Sequence, residues 1–143
     1  MIPRLFIDSS VLFSAAHSTR GHSRDLVVMG ANGEITIILS DYVLEETRRN
    51  LAQLKHPPLD ELDEILGHSH IEVVEVNKQA VLDAGKLIVL KDAPIIAAAR
   101  IARVDMLVSL DRKHILNQPR LESYIKASIL TPAGAYQKLR ATK

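Results

Sequence analysis

The chain has no cysteine and no tryptophan in 143 residues, and only three tyrosines and two phenylalanines. Without cysteine, disulfides and thiolate-bound metal are excluded. Hydrophobic residues still make up 47% of the chain, so the expected core is Ala, Leu, Ile and Val packed under helices. No apolar run approaches the roughly 20 residues of a membrane span. Met1-Ile2-Pro3-Arg4 leads directly into a strand and lacks the charged-then-apolar pattern of a secretory leader. The expectation is a cytoplasmic protein with no membrane partner. An excess of one charge is also missing: 18 Lys and Arg face 17 Asp and Glu, a net +1. Any nucleic-acid role must therefore come from locally separated charge. The six glycines form no phosphate-cradling loop; Gly30 and Gly33 read as helix-end punctuation. The six histidines show no HExxH spacing. His68 and His70 flank Ser69 in a loop, and His114 reads as a surface or packing side chain rather than a substrate contact.

What is present is an alternation of strand and helix patterns. A chain of this length suits one domain that buries roughly two thirds of its unfolded surface. Arg4 to Ile7 reads as a strand and Ser9 to Ala16 as a short helix. Ser23 to Ala31 is a second helix, stopped by Asn32-Gly33. Leu26 to Met29 on that helix suit either a core or a dimer contact. Glu34 to Leu39 is β-branched and reads as a strand; Ser40-Asp41 caps a helix to about Lys55, ended by Pro57-Pro58. Helix is expected over Leu59–Gly67, strand over Ile71–Val76, then helices over Gln79–Leu90 and Ala93–Val104. A strand follows over Met106–Leu110, one or two helical turns from Asp111 to Leu116, an edge strand over Ser128–Leu130 and a helix from Pro132. Such alternation predicts an α/β fold, a mostly parallel central sheet flanked by helices on both faces.

Four acids stand at or beside element junctions. Asp8 ends the first strand, where side chains of open α/β sheets face a ligand-binding crevice. Asp92 precedes a helix and Asp111 follows a strand. Each is also a good helix N-cap, worth about 1 kcal/mol, so each taken alone has a structural explanation. Glu46 borders the apolar stripe of Val43, Leu44, Thr47, Leu51 and Leu54, whereas Glu45 points away from it. Asp105 lies at the opposite end of its strand from Asp111 and reads as a turn residue, and Asp41 as a first-turn acid. If the sheet gathers Asp8, Glu46, Asp92 and Asp111, their company is costly. Two carboxylates about 4 Å apart repel by roughly 4 kcal/mol at an effective dielectric near 20. Such a cluster must protonate or hold a cation. Hard, oxygen-seeking Mg²⁺ and Mn²⁺ fit, and they can assist phosphodiester hydrolysis.

Phe6-Ile7-Asp8-Ser9-Ser10-Val11-Leu12, Ser40-Asp41-Tyr42-Val43-Leu44-Glu45-Glu46, Asp92-Ala93-Pro94-Ile95-Ile96-Ala97-Ala98-Ala99 and Asp105-Met106-Leu107-Val108-Ser109-Leu110-Asp111 together resemble the successive motifs of PIN-domain ribonucleases. The similarity runs from Phe6 to about Leu116, and its register places the family glutamate at Glu46. The resemblance implies one PIN-like domain over residues 1–143, with Asp8 anchoring one or two Mg²⁺ or Mn²⁺ ions. Asp92 and Asp111 are further ligands, and Glu46 binds metal or orients water. It implies hydrolysis of RNA by metal-activated water. Ser10 matches a small polar residue supporting the first aspartate, and Ser109 stands where the family often has threonine. Small prokaryotic members include VapC-type toxins, which form homodimers and pair with an antitoxin; both partners are expectations here.

Arg48, Arg49, Lys91, Arg100, Arg103, Arg112 and Lys113 lie near the acidic motifs in sequence and form a candidate phosphate rim, with Arg112 and Lys113 the best placed. Such binding weakens with salt, by a slope of about −0.7 per phosphate neutralised on single strands. The same residues also suit ordinary solvated helix faces. Two other readings stand beside the nuclease: a non-catalytic RNA-binding or assembly module on the same fold, and a phospho-acceptor domain. An intact set of four acids disfavours the first. The lack of paired acids after strand one and of a lysine ending a late strand disfavours the second.

Overall fold

Strand β1 (Arg4–Ile7) owes its central place to Leu5, Phe6 and Ile7, none of which reaches solvent. A strand covered on both faces needs a continuous apolar run rather than an alternating one. β2 (Thr36–Ser40) and β4 (Met106–Val108) flank it, and both are equally buried over Ile37-Ile38-Leu39 and Met106-Leu107-Val108. β3 (Ile71–Val74) and β5 (Ser128–Leu130) are the edges. Glu72 and Val73 are exposed on β3, as an edge position permits. In this computed structural model, which describes residues 1–141, the five strands run parallel in the order β3-β2-β1-β4-β5.

Parallel neighbours require helical crossovers, and the helices fall into two layers. Between β1 and β2 come α1 (Ser9–His17) and α2 (His22–Ala31), and between β2 and β3 come α3 (Asp41–Ala52) and α4 (Leu59–His68). α1 packs on α2, α3 and α4, while the terminal α8 (Pro132–Ala141) packs on α2. The other layer holds α5 (Lys78–Ala84), α6 (Ala93–Ala102) and α7 (Pro119–Ile125), with α6 in the middle. α6 is buried at Ala93, Ile95, Ile96, Ala97, Ala98, Ala99 and Ala102; its alanines let the backbone approach neighbours on nearly every side. The predicted α/β class and parallel sheet are thus observed.

Several local expectations need correction. The helix expected over Gln79–Leu90 stops at Ala84, because Gly85, Lys86 and Leu87 turn their amides back onto the Val81, Asp83 and Ala84 carbonyls. Leu90 then folds over Gly85, where a Cβ would sit 2.7 Å from the leucine methyl. Asp111 to Leu116 is a run of turns rather than a helix, with the Ile115 and Leu116 amides both bonding the Asp111 carbonyl. α7 was not foreseen at all. It buries Leu121 and Ile125, one helical turn apart, in an otherwise polar stretch. The strand expected over Glu34–Leu39 runs from Thr36 to Ser40, and β3 ends at Val74 rather than Val76. Leu26, Val27 and Met29 are core, leaving only Val28 of that set exposed.

Candidate metal and active site

The sheet order reverses between β1 and β4, where the chain leaves in opposite directions, and a crevice opens outside the carboxyl ends of those strands. Asp8 directly follows β1, and its amide still bonds the Val108 carbonyl of β4. Asp111 follows β4 by three residues; on the way Ser109 pairs its amide with Leu130 of β5. α6 starts above this end, placing Asp92 at its N-cap position, and α3 brings Glu46 in from its second turn. All four acids line one cleft of about 620 Å³, with Ser9, Ser10, Asn50 and Lys91. A larger depression of about 960 Å³, lined by Arg100, Arg103, Asp105 and Lys126, contains none of the four. The chemistry therefore centres on the smaller cleft.

Each carboxylate is held differently. Asp8 is almost fully buried. Its Oδ1 accepts from the Ser10 hydroxyl and from the Val11 amide, which makes it the cap of α1; its Oδ2 accepts from Ser109. Both serines are themselves fixed, Ser10 by the Leu110 amide and Ser109 by the Asp111 amide. Ser9, the first residue of α1, donates to Glu46 Oε1. Tyr42 donates to the Lys91 carbonyl at 2.8 Å and stands 3.4 Å from Glu46 Oε2, so Glu46 is positioned by two elements. Asp111 Oδ1 accepts from the Lys113 and His114 amides at 3.0 and 2.9 Å. That leaves Asp111 Oδ2 for the cleft. Asp92 sits at a cap position but caps nothing, and its buried Oδ2 has no hydrogen-bond partner. The capping explanation thus holds for Asp8 and, as a turn, for Asp111, and fails for Asp92.

The electrostatics follow. Burial pushes the Asp8 carboxyl up from 3.8 to about 6; the Ser10, Ser109 and Val11 bonds pull the other way, and the Asp111 charge raises it further. Burial also raises Asp92, again reinforced by Asp111 and opposed by Lys91 and His114. Two buried carboxylates, each raised further by the Asp111 charge and one with an orphaned oxygen, are what a divalent cation relieves. Among the described residues, one ligand atom each from Asp92, Asp111 and His114 lies within 4.8 Å of the others, a set that suits such an ion. The residues present suit it.

The other sequence candidates are dispersed. Arg48 pairs with Asp63 at 2.9 Å and Arg49 lies 3.7 Å from Glu45, both on exposed ground. Lys113 is exposed on the turn after Asp111, and Arg112 lines a separate small hollow with His22 and Thr131. Of the basic residues named from sequence, Lys91 is the one that lines the acidic cleft. Asp105 accepts from the Arg4 amide at the far end of the sheet, as expected of a turn residue. Sequence reasoning passed over Ser9 and Tyr42, and read His114 as a surface or packing side chain. His114 Nδ1 lies 3.2 Å from Asp92 and 3.6 Å from Asp111, and its three-residue spacing from Asp111 was the signal that could have found it.

Fold and site together define an α/β protein with an acidic cleft at its topological switch point. The sequence matches the PIN-domain family over residues 4–113, and the chain belongs to that family. No curated protein is detectably similar in sequence. Among solved structures the fold is similar to that of PAE2754 from Pyrobaculum aerophilum, with 18% identity, 99% of each chain covered and a TM-score of 0.66. It is also similar to VapBC2 from Rickettsia felis, bound to a DNA fragment from their promoter: 18% identity, 77% of this chain and 89% of that one, TM-score 0.60. A third is VapC20 of Mycobacterium tuberculosis, a sarcin–ricin-loop-cleaving toxin, at 17% identity, 76% and 91% coverage and a TM-score of 0.58. At these identities the likeness concerns the fold.

Proposed function

We propose that the protein is a divalent-metal-dependent endoribonuclease, using Mg²⁺ or Mn²⁺, within a toxin–antitoxin pair. The observation that carries this is the orphaned, buried Asp92 Oδ2 in a cleft lined by three further acids. Asp92 and Asp111 would hold the ion through their Oδ2 atoms, with Asp8 beside them at the strand end. When bound, a divalent ion lowers the pKa of a water and offsets charge on the phosphoryl transition state. Glu46, fixed by Ser9 and facing Tyr42, orients the attacking water or shares the ion. Ser10 and Ser109 hold Asp8 so that its oxygens keep one direction. Lys91 offers a positive charge in the cleft for a substrate phosphate, with Arg112 and Lys113 beyond the rim.

RNA as substrate is supported by membership of the PIN-domain family and by the VapC20 fold likeness. The VapBC2 likeness supports an antitoxin partner. A homodimer is supported by Leu82 and Leu90, which flank Gly85 and stay exposed with Val89. Incubation with a panel of RNAs in Mg²⁺, Mn²⁺ or EDTA tests the reading. Cleavage is expected only with the ions and not with Asp92→Asn. RNA retained but uncut in every metal would make the protein a binding module instead.

A further inference from the structure

Asp111 and His114 share one turn. Asp111 Oδ1 draws the His114 amide toward it, which brings the imidazole round to the side on which Asp111 Oδ2 and Asp92 lie. One ligand atom each from Asp92, Asp111 and His114 falls within 4.8 Å of the others. His114 Nδ1 approaches Asp92 Oδ2 to 3.2 Å, yet that oxygen accepts no hydrogen bond. Asp92 is only 6% exposed, so that oxygen is turned into the cleft rather than toward bulk solvent. The three groups therefore meet at ion-pair distance, and Asp92 Oδ2 still accepts no hydrogen bond. A cation placed among them would meet one ligand atom from each of the three.

We propose that His114 is a metal donor of the cleft, its Nδ1 joining Asp92 and Asp111 in a mixed nitrogen–oxygen set that favours Mn²⁺ over Mg²⁺. This rests on the nuclease reading and goes beyond it. Mg²⁺ is hard, demands near-ideal octahedral oxygen coordination and gives up its waters reluctantly. An imidazole in the set penalises it more than a first-row transition ion, for which nitrogen is an ordinary ligand. A purely acidic cleft gives no such preference. His114 is partly exposed on a turn rather than part of the core, so replacing it leaves the sheet and its helices intact.

The test uses the full chain loaded with Mn²⁺ and pulsed electron paramagnetic resonance. Echo modulation from a directly coordinated imidazole ¹⁴N is expected in the wild type and absent from His114→Ala. His114→Asp replaces the nitrogen by oxygen, and competitive titration should show the Mn²⁺-to-Mg²⁺ affinity ratio falling by at least about tenfold, the lower bound for losing even an outer partner of a metal site. Wild type without ¹⁴N coupling, coupling that survives in His114→Ala, or an unchanged ratio in His114→Asp overturns the proposal. Protein that binds Mn²⁺ without nitrogen coupling and still cuts RNA keeps the nuclease and discards the His114 donor. Protein that binds no Mn²⁺ discards both.

Discussion

At Asp8 one carboxylate caps a helix and also faces the cleft, and its charge is what strains the arrangement. Its folded-state pKa, raised from 3.8 to about 6, means that folding favours the protonated form. The stability it contributes is fully present below pH 3.8 and is lost as pH rises through about 6. A rise of that size corresponds to about 3 kcal/mol above neutral pH. Asp8→Asn keeps the Ser10 and Val11 bonds at Oδ1 but turns an amide toward Ser109, giving back about 1 kcal/mol. Metal-free Asp8→Asn should therefore be more stable than wild type by about 2 kcal/mol at pH 8, the net of these two terms. Urea denaturation in EDTA across pH 4 to 8 reads this; a less stable variant at pH 8 would contradict the buried-charge account. In Mg²⁺ the same variant should lose RNA cleavage. Residues such as Asp8 were legible because a strand end followed by a cap is a local pattern. His114 was not, because the value of its nitrogen depends on Asp92, which the sequence places 22 positions away.

Among the elements, α3 shows how far a periodic pattern carries. The helical-face reading set Glu46 at the border of the apolar stripe and Glu45 outside it. In the structure Glu46 lines the cleft, whereas Glu45 is exposed and lies 3.7 Å from Arg49. Glu46→Gln should lower cleavage by about 100-fold or more, the size typical of a positioned acid–base group, while Glu45→Gln leaves it within about twofold. Equal losses in single-turnover assays would reject the assignment. Ser40 ends β2 and caps α3 through the Val43 amide at 3.3 Å. Ser40→Ala should cost about 1 kcal/mol in urea denaturation, since a buried amide loses its acceptor. Boundaries were less legible than elements. α5 ends early where Gly85 to Leu87 turn back onto the helix and Leu90 folds over Gly85, contacts no periodicity announces. α7 buries only two side chains and begins at Pro119 after a polar run, so its amphipathic signal is too brief to stand out.

For the whole molecule, the balance of charge and its placement have opposite consequences. A net charge of +1 gives little long-range attraction for RNA, and an acidic cleft repels phosphate unless cations occupy it. Divalent ions should therefore act on the protein before they act on the reaction. Wild-type stability should rise with Mn²⁺ by about 2.7 kcal/mol at 100 times its dissociation constant, and by far less in Asp92→Asn. Equal gains in both proteins would place the ion elsewhere. The sheet order, legible from strand–helix alternation, fixes where this happens; which cations face the cleft depends on side-chain directions that alternation leaves open. Arg48 and Arg49 are occupied by Asp63 and Glu45, whereas Lys91 faces the acids. RNA binding should then depend on salt through few contacts. With a non-cleavable RNA analogue and saturating Mn²⁺, Lys91→Ala should make the slope of log affinity against log salt shallower by about 0.7, one phosphate's worth on a single strand. Arg48→Ala should leave the slope as it is, because that guanidinium is already neutralised. If Arg48→Ala flattens the slope and Lys91→Ala does not, the phosphate path runs along α3 and away from the cleft.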